Sequence, residues 1–409
     1  MNFAPLNVPL ERRLQTLSVL LWIISPILST IVLVFVALNP LSWPFLIIYC
    51  CHIWFMDTSP YDGRRRSNWL KKAAFPSRYF TEYFPARLIK EIELHGDEPY
   101  LFCYHPHGIL GLGVWANFIS DGSGFSRLFP WIDLRFATLE LNFRVPLWRD
   151  FLLALGFVGV SKHACDNILK QSWKLSTLNK KCSKCKQKVT HVGKDTLSTT
   201  FNDETREFHR DAVALFSPPG QGTSKTASPK KSISNTNSGM QEKRECLCQS
   251  PLSLLIVVGG ASEALDAHPR TFNIILNRRK GIFRLSYQHG VPLVPVLSFG
   301  ENDLYSQVDN PPGSTLRRIQ VALLKYFGFS MPLFWGRGIF QYNFGILPQR
   351  NPITTVVGRP VRPPCVERDP SEEQINALRT AYVQELTRIW DKYKDQYARN
   401  RRQSLTIVN

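Results

Sequence analysis

Residues 99–113 read PYLFCYHPHGILGLG. The first six form an apolar, aromatic run of the length of a buried strand. His-Pro-His-Gly at 105–108 then reads as a turn, with ILGLGVWANFI (109–119) as the helix that follows. Strand, turn and helix recur in SLLIVVGGASEAL (253–265). RDFLLALGFVGVSK (149–162) reads as helix then strand, and RKGIFRLSYQHG (279–290) as a helix leading into the strand and loop of VPLVPVLSFGEND (291–303). The clearest helix is DPSEEQINALRTAYVQELTRIWDKYK (369–394), with Asp369 as its cap and Pro370 at its first position. Ile375, Leu378, Tyr382, Leu386, Ile389 and Tyr393 make one apolar stripe along it. These units predict an α/β fold, a mixed sheet flanked by helices, with functional residues in turns at strand ends.

The 409 residues carry 50 Lys plus Arg against 32 Asp plus Glu, a net charge of +18. So basic a chain suits anionic partners: nucleic acid, phospholipid headgroups or phosphorylated small molecules. The N-terminus narrows that choice. Leu17–Leu38 is a run of 22 uncharged residues, about 33 Å as a helix, against a hydrocarbon core of roughly 30 Å. Asn39-Pro40 signals a turn, and Leu41–Met56 is a second apolar run. Arg12 and Arg13 precede the pair and Arg64, Arg65 and Arg66 follow it, so both ends are expected in the cytosol. The pair reads as a membrane-embedded helical hairpin. A signal peptide fits poorly, since the run is too long and no A-x-A site follows; a buried core hairpin is the other alternative. The aromatic, basic stretch 68–94 suits a membrane interface or an ordinary surface helix.

Between Gln171 and Ser250 the pattern breaks into lysine-rich and Ser/Thr/Asn-rich sequence, which reads as a disordered insert. The expected division is residues 1–60 for the N-terminal segment and hairpin, and 61–409 for one domain interrupted by 171–250. Cys182-x-x-Cys185 and Cys246-x-Cys248 lie some sixty residues apart in that insert without a zinc-ribbon spacing. No metal is expected.

Three constellations could carry chemistry. His105 and His107 flank the rigid Pro106, and Gly108 lets a ligand approach the backbone. If Gly108 opens the next helix, His107 sits at a helix N-terminus, where the dipole keeps imidazole neutral and basic. The alternatives are a metal ligand pair or a hydrogen-bonded turn. Glu263 falls near the start of the helix after Gly259-Gly260, where it could orient an imidazole or an acceptor hydroxyl, or only complement the dipole. Arg278, Arg279 and Lys280 suit phosphate recognition, or form a solvated basic face. Gly108, Gly111 and Gly113 have the spacing G-x-x-G-x-G, which is not a dinucleotide loop.

Together, YFP (83–85), HPHG (105–108), VVGGASEAL (257–265), RKGIFRLSYQHGVPLVPVLSFGEND (279–303) and PITTVVGRP (352–360) resemble the type 2 diacylglycerol acyltransferase family. The wider glycerolipid acyltransferases carry His-x-x-x-x-Asp; here positions 110 and 112 are both leucine, and HPHG stands in its place. The resemblance implies a glycerolipid acyltransferase-like fold and transfer of a fatty acyl group from acyl-CoA to diacylglycerol. His107 would be the general base, with no covalent intermediate, and His105 would position substrate or share the oxyanion's charge. Glu263 would take the place of the missing Asp. Pro106, Gly108, Lys162, Arg278, Arg279, Lys280, Glu301 and Asn302 would bind substrate, the cations meeting the phosphates of CoA. No cofactor is implied, since acyl-CoA is a substrate. Implied partners are acyl-CoA, diacylglycerol and membrane lipid, with a homo-oligomer left open and no nucleic acid. The expected location is the endoplasmic reticulum membrane, the domain cytosolic, and the surface of lipid droplets. Monoacylglycerol or a long-chain alcohol are alternative acceptors, and an inactive lipid-droplet scaffold is the alternative outside catalysis.

Overall fold

The computed structural model describes residues 3–5, 7–67, 69–70, 74–181, 250–328 and 331–408. In chain order come helices α1 (Leu10–Ala37), α2 (Trp43–Cys51) and α3 (Ala74–Tyr83), then strands β1 (Arg87–Lys90), β2 (Leu101–His105) and β3 (Asp133–Thr138). Next are α4 (Trp148–Leu155), β4 (Phe157–Gly159), α5 (Lys162–Lys181), β5 (Leu252–Val257), α6 (Gly260–Ala264), β6 (Asn273–Ile275), α7 (Lys280–His289) and β7 (Leu293–Phe299). The chain ends with β8 (Ser306–Gln307), α8 (Thr315–Phe327), β9 (Phe334–Trp335), β10 (Thr354–Val357), α9 (Glu372–Tyr397) and β11 (Thr406–Val408). Met1–Thr177 and Ser250–Asn409 make one compact unit; Leu178–Gln249 make a second.

Seven strands form a mixed sheet in the order β1-β10-β7-β2-β5-β3-β4. Only the β10–β7 pairing is antiparallel. The central strand β2 is buried along its whole length, as a strand covered on both faces must be. Its side chains alternate. Phe102 and Tyr104 join a core with the segment 112–119 and α3. Leu101 and Cys103 join the opposite core, with α5, α7 and α9. Since β2 runs parallel to both β5 and β7, the C-terminal ends of all three strands open on one edge. That edge collects HPHG, GGASE and GEND.

Three sequence expectations change. The cap of α9 is Ser371, not Asp369: its hydroxyl accepts from the Gln374 N–H and the Gln374 side chain returns to the Ser371 N–H. This reciprocal pair satisfies two backbone donors and moves Pro370 outside the helix. The expected insert starts too early, because α5 continues to Lys181. Ile168, Leu169, Ser172 and Ser176 keep one buried face along it, and Ser172 Oγ donates back to the Ile168 carbonyl (2.7 Å). Cys182, Cys185, Cys246 and Cys248, with most of the expected insert, lie outside the described residues.

The third change concerns α1. It starts at Leu10, seven residues before the apolar run, and its first half belongs to the folded unit. Gln15, Ser18 and Val19 are buried. Arg350 donates to Gln15 Oε1 (2.6 Å) and Thr16 Oγ1 (2.9 Å), and the Trp22 ring stacks on Trp115 at 3.5 Å. Past Trp22 the apolar residues Ile27, Leu28, Ile31, Val34 and Phe35 are exposed. A short turn at Pro40–Ser42 joins α1 to α2. There Tyr49 makes contact with α4, its hydroxyl accepting the Leu147 N–H (3.0 Å). Among the described residues, α1 is the one helix long and apolar enough to cross a membrane.

Candidate active site

HPHG is divided by where β2 ends. His105 is the last strand residue, so it follows the parity of Leu101 and Cys103 and points toward α9. Its ring is fully buried, with Nε2 2.9 Å from the Tyr382 hydroxyl. Nδ1 has no partner. Burial alone pushes the imidazole down to about 3, so it stays neutral. The ring lies beneath the turn, against α9.

After the cis His105–Pro106 peptide the chain leaves the sheet, and His107 is only half-buried. Its Nδ1 lies 3.0 Å from the Gly108 carbonyl oxygen. A carbonyl can only accept, so Nδ1 carries the proton and Nε2 keeps its lone pair. Nε2 has no hydrogen-bond partner among the described residues. Burial, assisted by the Arg279 charge, lowers the pKa of this ring and outweighs the opposing effect of the Gly108 carbonyl. The expected cause of its neutrality, a helix N-terminus at Gly108, is absent. Gly108 and Gly111 both have left-handed φ, +64° and +66°, and the helix opens only at Leu112.

Two buried carboxylates hold this turn. Glu263 is expected to orient an imidazole; instead its Oε1 accepts the backbone N–H of His107 (2.7 Å) and its Oε2 that of Ile275 (3.2 Å). Burial raises its pKa to about 7 against the pull of those amides and of Arg279. On the other flank, Glu301 Oε2 accepts from the Tyr104 hydroxyl (2.9 Å) and from the Gly113 N–H (2.8 Å). It too is raised to about 7 by burial. A Cβ on Gly108 would sit 2.7 Å from Glu301 Cγ, so the turn packs directly on this side chain. Glu301, expected to bind substrate, thus supports the HPHG backbone.

The remaining expected residues divide. Arg279 comes to the site: Nη2 donates to the Gly259 carbonyl (2.6 Å), while Nε is buried without a partner among the described residues. Arg278 is exposed. Lys280 is tied to Glu372 (2.5 Å), which Arg284 also reaches (3.1 Å). Lys162 is exposed at the start of α5, past the edge strand β4 and three strands from β2. Asn302 is buried and donates to the Thr271 carbonyl (2.8 Å). Pro106 is buried between the two histidines. Tyr382 and Tyr104 are site residues that the sequence reading misses. Tyr382 is recognisable only as the one hydroxyl among the residues of the α9 stripe that are buried.

Comparison with known proteins identifies the family. Residues 35–178 and 238–408 match the family described as diacylglycerol acyltransferase. The gap between the two matched stretches, 179–237, falls within the expected insert. Diacylglycerol O-acyltransferase 2B of Umbelopsis ramanniana is 36% identical, with 100% of this chain and 95% of that protein covered. The 2-acylglycerol O-acyltransferase 1 of Bos taurus is 37% identical, with 97% and 96% covered. Diacylglycerol O-acyltransferase 2 of Dictyostelium discoideum is 33% identical, again with 97% and 96%. No solved structure matches. The chain belongs to the type 2 diacylglycerol acyltransferase family and is an acyltransferase.

Proposed function

We propose that this acyltransferase moves a fatty acyl group from acyl-CoA to the free hydroxyl of diacylglycerol, making triacylglycerol, with His107 as the general base. The orientation of His107 carries this reading: a neutral ring, its Nδ1–H held by the Gly108 carbonyl and its Nε2 unpartnered. Nε2 takes the proton of the acceptor hydroxyl as its oxygen attacks the thioester carbonyl. The tetrahedral intermediate collapses, and the imidazolium returns the proton to the departing thiolate. A covalent acyl-enzyme has no role in this sequence. Glu263 and Glu301 hold the turn so that the ring is placed before substrate arrives. Arg279, whose charge acts on His107 and whose buried Nε has no partner among the described residues, is the cation for charge developing on oxygen. His105 and Tyr382 act as support beneath it.

The N-terminal helices supply access to the lipid acceptor. From Trp22 to Ala37, α1 offers about 22 Å of helix beyond its docked base, less than the roughly 30 Å of a hydrocarbon core. A hairpin that dips into one leaflet and returns at Tyr49 fits this length, and it suits both an endoplasmic reticulum membrane and a droplet monolayer. Relatives with either acceptor in their names are equally similar, so monoacylglycerol is the second reading. The test is membranes expressing the chain, labelled oleoyl-CoA, and each acceptor in turn. Triacylglycerol should dominate; label mainly in diacylglycerol or wax ester overturns the assignment. Tags at both termini should be digested together in sealed vesicles; protection of one alone overturns the hairpin.

A further inference from the structure

Beside the GEND turn lies an open cavity of about 210 Å³, whose lining includes Arg270, Asp303, Tyr397, Arg399 and Arg401. Three arginines, Arg270, Arg399 and Arg401, are among its lining residues. Arg401 is engaged, with Nη1 on the Lys394 and Ala398 carbonyls (3.3 and 3.2 Å) and Nη2 on Asp395 (2.8 Å). Among the described residues Arg399 uses only Nε, on the Asp395 carbonyl (3.1 Å). The Arg270 guanidinium makes no hydrogen bond or ion pair among the described residues. Its backbone, however, is held at both ends: Asp303 Oδ1 accepts its N–H (2.6 Å), and its carbonyl accepts from Arg402 (2.9 Å). Its φ is +64°, a left-handed conformation that an arginine adopts at a cost and glycine or asparagine adopts easily. The Arg270 charge acts on Asp303, the one carboxylate of the lining, and three arginines against that single acid leave a net positive cavity that favours an anion.

The cavity is joined to the active site at two points. Asp303 stands two residues after Glu301, which packs against Gly108. Arg270 stands five residues before Ile275, whose N–H is held by Glu263. The volume is below the roughly 300–1,000 Å³ of sites that take whole drug-sized ligands, and suits a phosphorylated fragment. We propose that the Arg270–Arg399–Arg401 cavity binds a phosphate monoester, and that in the working enzyme this is the 3′-phosphate of the acyl donor's nucleotide. The last clause rests on the acyl-CoA reading above. The same phosphate chemistry could come from a lipid headgroup.

Full-length protein in detergent separates the sources. Adenosine 3′,5′-bisphosphate should bind at least about tenfold more tightly than adenosine 5′-monophosphate, the contribution of one charge-assisted phosphate contact. Arg270→Asn, chosen because asparagine keeps the left-handed backbone, combined with Arg399→Gln should abolish that preference. Arg399→Gln alone, at an exposed side chain, should weaken it without touching the fold. In the transfer assay the double variant should raise KM for oleoyl-CoA about tenfold, leave kcat within twofold, and leave KM for oleoyl-3′-dephospho-CoA unchanged. Equal binding of the two nucleotides overturns the proposal, as does a preference that survives both substitutions. Loss of binding to phosphatidic acid vesicles with nucleotide binding intact would assign the cavity to a lipid phosphate and overturn the donor assignment. The binding arms need no turnover, so an inactive preparation would count against the acyl transfer reading alone.

Discussion

The two flanks of the HPHG turn use the same device for different ends. On the β5 side Glu263 holds the amide of His107 itself; on the β7 side Glu301 holds a phenol and the amide of Gly113, five residues past the turn. Both carboxylates are buried and both are raised to about 7. Neither touches an imidazole. The acids in this site therefore act on backbone amides and one phenol, and the proposed base is oriented by a carbonyl from its own turn. The flanks differ in reach: Glu263 holds the amide of His107, the proposed base, whereas Glu301 supports the shape of the loop behind it.

The largest expected effect tests the base that both flanks serve. His107→Ala should lower kcat by about 10³-fold or more, at the upper part of what a positioned general base contributes, with little change in melting temperature. His105→Ala should be the milder change in kcat. It should cost more stability, since it empties a buried site and leaves the Tyr382 hydroxyl with only a distant carbonyl at 3.4 Å. A dead His105→Ala beside an active His107→Ala would reverse the two roles.

Gly108→Ala should come next. The added Cβ meets Glu301 Cγ at 2.7 Å in a left-handed backbone, so the turn must move off the Glu301 flank. A kcat loss of about 10²-fold is expected, as for a misplacement of roughly 1 Å. Activity within a factor of three of the parent would show that the turn need not rest on Glu301.

How much of this was legible in the sequence follows from range. The strands and turns were readable because LFCY, LLIVV and VPLVPV are buried on both faces and give continuous apolar runs. HPHG and GGASE were readable as loop chemistry at strand ends. The roles within HPHG were not, because they depend on whether β2 ends at Tyr104 or His105, and a shift of one residue reverses which face a side chain joins. The clamp from Glu301 to Gly113 spans 188 residues and the His105–Tyr382 contact 277, distances at which spacing carries no signal. The start of α1 is hidden for another reason: Glu11, Arg12 and Arg13 precede the apolar run but still lie within the helix.

Substituting each carboxylate by its amide compares the flanks directly. Glu263 uses one oxygen for each of two N–H donors, so Gln must turn an NH₂ toward one of them. Glu263→Gln should cost about 10- to 100-fold in kcat with KM for acyl-CoA nearly unchanged. Glu301 gathers its phenol and its Gly113 amide on one oxygen, which a glutamine carbonyl can replace. Glu301→Gln should stay within about tenfold, near the loss of a single charge-assisted bond. Equal losses would mean that both flanks act only on the shape of the turn.

The pH dependence gives the smallest and most selective effect. A buried carboxyl raised from 4.5 to about 7 keeps its proton longer in the folded protein than in the unfolded chain. Its contribution to stability is fully present below about 4.5 and is lost as pH rises through about 7. Activity runs the other way, because the ionised form is the better acceptor for the His107 N–H. The acid limb of kcat/KM should therefore fall near pH 7, and Glu263 should set it. Glu301, also raised to about 7, does not hold the His107 amide, so in Glu263→Gln the acid side is limited by His107, whose pKa lies below its ordinary 6.5. The residual activity should then have its acid limb below that value, while Glu301→Gln keeps the parent limb. A limb that moves in Glu301→Gln and stays in Glu263→Gln would make the β7 flank the one coupled to the base.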